Sequence, residues 1–372
     1  MDTETLVIGA SAAGLATAAE LGRRGCPYEV LEATEHVGHA WRTHYERLHL
    51  HTPKSGSALP GLAMPRAWPR YPSRLQMVEY LEQYAAHHSI RPRFGERAER
   101  IARVGERWEV ETASQTWTAR NVVIATGYTR QPVEPDWPGM EAFAGDVLHS
   151  SAFVNGEPWR GQSVVVVGFG NSACEQALDL VEHGAQVHLA VRSPVNVVPR
   201  DVLGLVPVLQ LGIVMRHLPP PVADALAWPL VQLTVGNVGR VGLRKLPYGP
   251  NTQITKDRRI PLLDIGTMRE LRRGTIVAHP NVERFTDGGV VFEDGAYADA
   301  AAVVLATGYR PALADFLEGV AEVVDDDGVP LVSGGRTAAR GLYFCGFYVS
   351  PAGMLREIGI EATRIAAAVA DA

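Results

Sequence analysis

Two glycine-rich turns, each placed between a strand-like run and a helix-like run, constrain this sequence more than any other feature. The first, GASAAG at residues 9–14, follows the apolar run TLVI at residues 5–8. The second, GFGNSA at residues 168–173, follows SVVVV at residues 163–167. In such turns a glycine permits the tight reversal, and a small second position lets backbone amides approach a pyrophosphate at the helix start. Two copies predict two dinucleotide-binding sites.

The residues of both turns are candidate cofactor ligands. In the first turn, Ser11 stands where the middle glycine is expected; in the second, Ala173 replaces the third glycine. The alternative is that the turns merely pack a helix against a strand. The candidates are Gly9, Ser11, Ala12, Ala13, Gly14, Gly168, Gly170, Asn171 and Ser172.

The second strand of each half ends in a residue of opposite charge. In the first half the strand ends at Glu32, whose carboxylate can accept from ribose hydroxyls and repels a 2′-phosphate. In the second half the matching positions are Arg192 and Ser193, and a guanidinium can pair with a 2′-phosphate. The contrast predicts FAD in the first half and NADPH in the second, the alternatives being a surface acid and a surface arginine.

Two Ala-Thr-Gly turns follow buried strand runs, one after each nucleotide half. They add Thr126, Gly127, Thr307 and Gly308 to the cofactor candidates, and Gly346 follows the closing strand. The turns mark the places where the chain crosses between domains.

The predicted fold class is α/β, with two Rossmann-like dinucleotide-binding domains, for FAD and NADPH, the second inserted into the first. The expected boundaries are 1–158 for the first part of the FAD domain, 159–300 for the NADPH domain and 301–372 for the closing part. An apolar helical excursion is expected at about 203–246, with helices at 203–215 and 223–238 separated by prolines. It could roof a pocket, pack a core, form a dimer face or touch a membrane shallowly, but neither helix is long enough to span a bilayer.

Composition excludes several partner classes. With 35 Lys+Arg against 41 Asp+Glu, the formal net charge of −6 indicates neither a nucleic-acid partner nor an anionic membrane. The first strand begins so close to Met1 that no signal peptide is expected. Cys26, Cys174 and Cys345 form no CxxC pair, which favours a cytoplasmic protein with free thiols over a dithiol enzyme.

No metal site is expected. His49 and His51 would share a strand face, but a third ligand at suitable spacing is absent from the neighbouring sequence. The acidic run at residues 325–328 is typical of a hairpin turn.

The link between the halves carries the pattern FxGxxxHxxx[F/Y] as Phe143, Gly145, His149 and Phe153. On this pattern the chain resembles class B flavoprotein monooxygenases of the flavin-containing monooxygenase type. The likeness is closest to the YUCCA branch, which makes auxin from indole-3-pyruvate, and it extends over nearly the whole chain, including residues 243–250 and 255–267. Departures are Ser11 and His39 in place of glycines.

The resemblance implies further site residues. Animal-type relatives place an asparagine beside the flavin in a segment that matches residues 51–54, which puts His51 at that position. His149 would set how the nicotinamide coenzyme lies over the flavin, or else would be a satisfied interdomain histidine. Asn171 and Ser172 would anchor the pyrophosphate. The catalytic candidates are His51, Lys54, His149 and Asn171, and the matched segments add Trp41, Arg42 and His49 as cofactor-binding candidates.

The implied reaction is that of an FAD-dependent, NADPH-consuming monooxygenase. NADPH reduces FAD, O2 adds to give a hydroperoxyflavin, and one oxygen atom passes to a small organic substrate. Oxidative decarboxylation of indole-3-pyruvate or a related aryl 2-oxo acid ranks first, and oxygenation of a soft amine or sulfide second. A flavin-dependent NAD(P)H reductase or oxidase without a stable peroxyflavin is the competing enzyme class, and a nucleotide-sensing binding module is the non-enzymatic one. A homodimer is also compatible with the apolar excursion.

Overall fold

The computed structural model describes residues 1–202, 204–215 and 217–371. Strands and helices alternate along these ranges, which confirms the α/β class. The strands are β1 Asp2–Ile8, β2 Tyr28–Glu32, β3 Arg93–Phe94, β4 Arg100–Val104, β5 Arg107–Glu111, β6 Thr116–Ile124, β7 Gln131–Pro132, β8 Asp146–His149, β9 Ser163–Val167, β10 Gln186–Ala190, β11 Val197–Pro199, β12 Asp201–Val202, β13 Val206–Pro207, β14 Leu262–Asp264, β15 Ile276–His279, β16 Val282–Thr286, β17 Gly289–Phe292, β18 Tyr297–Asp299, β19 Ala302–Leu305, β20 Tyr309–Arg310 and β21 Leu342–Phe344. The α-helices are α1 Ala12–Arg23, α2 His39–Thr43, α3 Arg74–His87, α4 Asn171–Glu182, α5 Val208–Met215, α6 Pro220–Thr234, α7 Pro250–Asp257, α8 Thr267–Arg273 and α9 Met354–Ala370.

The chain divides into two compact units. The first contains residues 1–43, 52–131 and 309–372, and the second contains residues 44–51 and 132–308. The long second segment lies between two parts of the first unit, so the second domain is inserted into the first, as the sequence predicts.

The first unit is built on a seven-stranded sheet in the order β3-β2-β1-β6-β5-β4, with β21 also paired to β6. β1 runs parallel to both β2 and β6, whereas β5 and β4 extend the sheet as an antiparallel hairpin. The two halves of β6 serve different partners, because its first residues pair with β5 and its last three with β21. Helix α1, rich in alanine and buried from Ala12 to Leu21, packs against α9. Its small side chains allow this close approach.

The second unit has a five-stranded parallel sheet in the order β15-β10-β9-β19-β8. Its edge strand β8 pairs with β19, with His149 beside Leu305. Both strands lie outside the expected NADPH domain, residues 159–300. β8 precedes this range in the chain and β19 follows it, and both belong to the sheet of the second unit. The structural division at 131/132 and 308/309 therefore differs from the expected boundaries.

The apolar excursion contains α5 and α6. Leu203, the expected start of its first helix, lies outside the described residues. The second helix begins at Pro220 rather than at residue 223 and ends at Thr234, since proline's fixed φ suits the first helical turn. Its outer face includes Val222, Leu226 and Leu233, all exposed. In the described part of the chain, no helix is long and apolar enough to cross a membrane.

Candidate functional site

The first glycine turn is dictated by close backbone packing. Gly9 has a φ of +109°, its amide donates to the Leu31 carbonyl at 2.7 Å, and a Cβ on it would lie 2.8 Å from the Ala125 oxygen. A Cβ on Gly14 would lie 1.8 Å from the Gly9 oxygen. Both positions therefore require glycine for reasons internal to the protein.

In the second turn, Gly168 has the same conformation and close packing as Gly9. Gly170, the next glycine of this turn, is not packed in this way. Gly168 has a φ of +128°, donates to the Ala190 carbonyl at 2.9 Å, and would place a Cβ 2.5 Å from the Ala306 oxygen. At Gly170, by contrast, an added Cβ would meet no described atom within 4 Å. Protein packing thus gives no reason for glycine at 170, whereas close approach of a ligand to the backbone does.

The helices that follow the turns begin with open amide groups. Ser11 caps α1 and Gly170 caps α4, and among the described residues neither end has a side-chain cap or an acid in its first turn. The first amides of a helix lack intrahelical partners and favour a negative charge. Both ends therefore fit the pyrophosphate of a dinucleotide.

Glu32 is buried and closes the first turn directly. Its carboxylate accepts from the Ala10 amide at 2.7 Å, from the Thr34 amide at 2.9 Å and from the Thr34 hydroxyl at 2.8 Å. Each carboxylate oxygen can accept more than one hydrogen bond. The acid therefore holds the turn and retains capacity for a ribose hydroxyl.

The matching position in the second unit is basic and exposed. The Arg244 guanidinium donates to the carbonyl of Arg192. The Val195 amide donates to the Arg244 carbonyl at 2.8 Å, and the Leu246 amide to the Val195 carbonyl at 3.2 Å. A second arginine thus lies beside Arg192 and half-buried Ser193. Sequence reasoning missed Arg244, because the chain separates the two arginines by the whole helical excursion.

The two Ala-Thr-Gly turns differ in how their threonines are used. The hydroxyl of Thr307 donates to the Val133 carbonyl. The hydroxyl oxygen of Thr126 is buried and has no hydrogen-bond partner among the described residues. Gly127 and Gly308 have φ of +72° and +90°, and a Cβ on either would meet no described atom within 4 Å. Thr126 is therefore free to contact a ligand, whereas Thr307 fastens its own turn.

Gly346 is less available than the sequence predicts. Its amide donates to the Glu361 carboxylate of α9 at 2.5 Å. Burial raises the pKa of Glu361. The glycine itself is explained by packing, since a Cβ there would lie 3.1 Å from the Ala13 side chain.

The segment around α2 supplies three further candidates. Arg42 pairs with Glu82 of α3, and its carbonyl accepts from Arg74 at 2.8 Å. Trp41 is partly exposed. His49 is exposed, and its Nδ1 lies 2.7 Å from the Arg47 carbonyl. The expected strand face shared by His49 and His51 is wrong, because this stretch is irregular rather than extended.

The ammonium group of Lys54 is hydrogen-bonded to backbone carbonyls. Its ammonium donates to the carbonyl of Pro65 at 3.1 Å, to that of Arg66 at 2.6 Å, and to that of Trp68. An ammonium has three N–H donors, so all are used within the first unit. In this structure Lys54 therefore fastens the loop at residues 65–68.

His149 is buried and satisfied within the second unit. The Ser151 amide donates to Nδ1 at 3.1 Å, so Nε2 carries the hydrogen and donates to the Gly308 carbonyl at 3.0 Å. Burial lowers the pKa of His149, which favours the neutral ring. Both ring nitrogens are therefore engaged, by Ser151 and by Gly308, as the alternative of a satisfied histidine requires.

The rest of the FxGxxxHxxxF pattern also packs the second unit. A Cβ on Gly145 would lie 2.5 Å from the Ala301 oxygen, and Phe143 packs edge-on against Phe285. Phe153 is buried and stacks on Trp159 with ring centroids 5.9 Å apart. The residues of this pattern therefore pack the second unit on either side of β8.

The remaining catalytic candidates lie on or against α4. The Asn171 side-chain oxygen accepts from the Leu263 amide at 3.0 Å, which ties the helix start to β14. Ser172 is half-buried at the same end. His51 contacts the carboxylate of Glu175 through Nε2.

The excursion lines an open pocket of about 560 Å³ in the second unit. Its lining is mainly apolar and includes Val195, Trp228, Val231 and Tyr248. Of the expected roles for this region, roofing a pocket is thus supported by the structure.

Comparisons with known proteins agree with this architecture. A profile of the pyridine nucleotide-disulphide oxidoreductase family matches residues 6–207. The chain is 39% identical over 353 residues to indole-3-pyruvate monooxygenase YUCCA1 of Oryza sativa subsp. japonica, covering 92% of this chain and 86% of that protein. It is 36% identical over 358 residues to the probable indole-3-pyruvate monooxygenase YUCCA3 of Arabidopsis thaliana, covering 92% and 81%. Among solved structures, a double mutant of the flavin monooxygenase from Stenotrophomonas maltophilia superposes with a TM-score of 0.77 at 26% identity, covering 100% of this chain and 98% of that chain.

The chain belongs to the YUCCA flavin monooxygenases, within the pyridine nucleotide-disulphide oxidoreductase family. It is an oxidoreductase, a monooxygenase that uses FAD and NADPH and acts on a small molecule with O2. The disulphide in the family's description has no counterpart here, since Cys26, Cys174 and Cys345 are all free. Burial raises the pKa of the Cys174 and Cys345 thiols, which makes both poor nucleophiles.

Proposed function

We propose that this enzyme oxidatively decarboxylates an aryl 2-oxo acid, with indole-3-pyruvate as the first candidate. The observation that carries the proposal is sequence identity of 36% and 39% with two indole-3-pyruvate monooxygenases over 92% of the chain. Bound FAD would accept hydride from NADPH and activate O2. The protein's own task is to hold both nucleotides, orient the substrate and exclude water.

FAD is assigned to the first unit. The amides at the start of α1, the carboxylate of Glu32 and the unpartnered Thr126 hydroxyl all suit a dinucleotide without a 2′-phosphate. Gly9, Ser11, Ala12, Ala13 and Gly14 would provide the backbone surface for its pyrophosphate. In this assignment Gly127 gives close access beside Thr126.

NADPH is assigned to the second unit. The open start of α4, with Gly168, Gly170 and Ser172, would hold its pyrophosphate. Arg192 and Ser193 would contact the 2′-phosphate, and the adjacent guanidinium of Arg244 would add a second charge-assisted donor. Asn171 would act by fixing the helix start.

His51 remains the proposed catalytic side chain. It differs from Lys54 and His149 in that its ring has a buried nitrogen, Nδ1, without a hydrogen-bond partner among the described residues. A buried polar atom without a hydrogen-bond partner destabilises the fold unless a ligand or a water molecule supplies that partner. Lys54 and His149, whose hydrogen bonds are complete, are assigned to structure.

The test measures products against NADPH consumed. With indole-3-pyruvate, one NADPH and one O2 should give one indole-3-acetic acid, one CO2 and one water. Under ¹⁸O₂, one labelled atom should appear in the carboxylate. Phenylpyruvate serves as a second aryl 2-oxo acid, and a tertiary amine and a thioether represent the alternative substrates.

Each alternative has its own signature. Faster formation of an N-oxide or sulfoxide than of CO2 would contradict the substrate assignment. Hydrogen peroxide formed in equal amount to NADPH with every compound would instead indicate an oxidase. Either result would leave the two nucleotide assignments standing.

We also propose a cytoplasmic homodimer. Three free thiols suit a reducing compartment, and the exposed apolar face of α6 suits contact with a second copy. Light scattering coupled to size exclusion should give a mass near twice 40.2 kDa. Replacing Leu226 and Leu233 by lysine should give the monomer, and a wild-type mass of one chain would contradict the dimer.

A further inference from the structure

A buried carboxylate on α4 has no part in the functions assigned so far. Glu175 is only 2% exposed. One carboxylate oxygen contacts Nε2 of His51, and the other lies 3.8 Å from Nε of Arg47. Burying a carboxylate costs several kcal/mol unless it is paired and hydrogen-bonded. Glu175 therefore depends on these two partners, which both belong to the segment at residues 44–51.

The contact determines the state of the His51 ring. An ionised carboxylate can only accept, so against such a group Nε2 of His51 carries the hydrogen that lies between them. In the neutral ring, Nδ1 is then a lone-pair acceptor. Nδ1 is buried and has no hydrogen-bond partner within the described ranges.

We propose that Glu175 is a positioning residue that fixes His51 as the Nε2–H tautomer, so that Nδ1 accepts a hydrogen bond from a donor on the bound coenzyme or substrate. The proposal rests on the function assigned above, in which His51 belongs to the active site. Glu175 lies on the first turns of α4, the helix whose start is assigned to the NADPH pyrophosphate. One helix would thus hold the coenzyme at its end and orient His51 from its side.

A purely structural role is the alternative to be tested. The 44–51 segment has other ties to the rest of the second unit, including the Arg47–Glu182 ion pair and a 2.9 Å hydrogen bond from Asn155 to the Glu46 carboxylate. If Glu175 were only another tie, removing it would loosen the segment without a specific effect on the ring. The tautomer of His51 separates the two roles.

The experiment uses ¹⁵N-histidine-labelled holoenzyme carrying FAD. Long-range ¹H–¹⁵N spectra report which ring nitrogen is protonated, and His51→Asn identifies the signal. We expect the Nε2–H form in the wild type, its retention in Glu175→Gln, whose amide oxygen still accepts, and a mixture of tautomers in Glu175→Leu. Glu182→Gln is the matched control, because it removes an exposed carboxylate of the same helix that pairs with the same Arg47.

Binding and coupling complete the test. Addition of NADP⁺ or indole-3-pyruvate should shift the His51 Nδ1 resonance of the wild type. Hydrogen peroxide released per NADPH should rise at least about threefold in Glu175→Leu and stay unchanged in Glu182→Gln, since a misoriented His51 leaves the reacting centre less protected.

Several results would overturn the proposal. They are an Nδ1–H tautomer in the wild type, an unchanged tautomer in Glu175→Leu, no shift with either ligand, or an unchanged peroxide yield when the tautomer has changed. If Glu175→Leu does not fold, the wild-type tautomer and its response to ligands still decide. The tautomer and ligand-shift measurements do not require indole-3-pyruvate to be turned over. The peroxide yield is measured with whichever compound the product analysis shows to be oxygenated, so failure of the substrate assignment is seen separately.

Discussion

The glycine turns of the two nucleotide-binding halves begin with the same residue type in the same local environment. Gly9 and Gly168 each donate to a carbonyl at the end of the neighbouring strand, that of Leu31, one residue before the last of β2, or that of Ala190, the last of β10. Each also approaches the carbonyl of an Ala-Thr-Gly turn, at Ala125 or Ala306, so closely that a side chain is excluded. The reversal is therefore fixed by backbone packing, independent of which nucleotide binds.

The halves diverge at the third position and at the end of the second strand. The first has Gly14 and Glu32, and the second has Ala173 and Arg192. Glu32 is buried and holds its own turn, whereas Arg192 is exposed with Arg244 beside it. The comparison teaches that the turn is a common support, whereas the charge at the strand end differs between the halves and is the feature to which we assign the choice of coenzyme.

The largest expected effect comes from the third position of the first turn. Gly14→Val should abolish FAD binding, because its Cβ would lie 1.8 Å from the Gly9 oxygen. Relieving such a clash needs a backbone shift costing about 3 kcal/mol or more. The measurement is flavin absorbance per mole of purified protein.

The second turn provides the control for this change. Ala173→Gly should keep NADPH binding within about twofold, because it introduces no clash and its cost, about 1 kcal/mol for a glycine inside a helix, affects mainly the stability of α4. If purified Gly14→Val contained one flavin per chain, the prediction that a side chain at position 14 prevents FAD binding would be contradicted.

A smaller effect is expected at the charged strand end of the second half. Arg192→Ala should raise the KM for NADPH at least about tenfold, because a lost charge-assisted contact to a phosphate costs about 1.5–3 kcal/mol. The KM for NADH should change little, since NADH has no 2′-phosphate. Arg244→Ala should act in the same direction and more weakly.

Arg240, an exposed arginine of the same excursion, supplies the matched control. Arg240→Ala should leave the ratio of the two KM values unchanged. If Arg192→Ala raised the KM for NADPH and the KM for NADH by the same factor, the assignment of NADPH to Arg192 would be contradicted.

The smallest expected effect concerns a cross-strand pair that occupies matching places in the two sheets. Between β2 and β3, Arg93 donates to Glu29 at 2.9 and 3.2 Å. Between β10 and β15, Nδ1 of His188 lies 2.9 Å from Nε2 of His279. Burial lowers the pKa of both histidines, and His188 lowers that of His279 further.

The sign of the pH dependence follows from these lowered pKa values. The unfolded histidines bind protons below their ordinary pKa of about 6.5, while the folded ones stay neutral to lower pH. The free energy of unfolding should therefore fall as pH drops below about 6.5. Urea unfolding from pH 7.5 to 5 should show a flatter slope in His279→Gln and the wild-type slope in Glu29→Gln. An unaltered slope in His279→Gln would exclude the histidine pair as its source.

The glycine turns and strand ends could be predicted because they are local. Each depends on a few residues in a row, such as the apolar run before Gly168 and the charge at Glu32, and short-range sterics decide the outcome. The insertion of one domain into the other followed from finding two such units in one chain.

The hydrogen-bond partners of individual side chains could not be predicted in this way, because they lie far away in the chain. Lys54 is satisfied by carbonyls of a later loop, and His149 by Gly308. Arg244 and Glu175 became candidates only when folding placed them beside Arg192 and His51. Family likeness indicated where to look, but it could not show which polar atoms the protein itself already satisfies.

The engagement of Lys54 has a practical consequence for attaching the enzyme to a surface. The chain has three lysines, Lys54, Lys245 and Lys256. Lys54 gives its three N–H groups to carbonyls, which leaves exposed Lys245 and Lys256 as the reactive side-chain amines. Coupling through side-chain amines would therefore attach the molecule at Lys245, next to Arg244, or at Lys256 on α7, and a support that leaves the proposed coenzyme site open would have to be linked by another route.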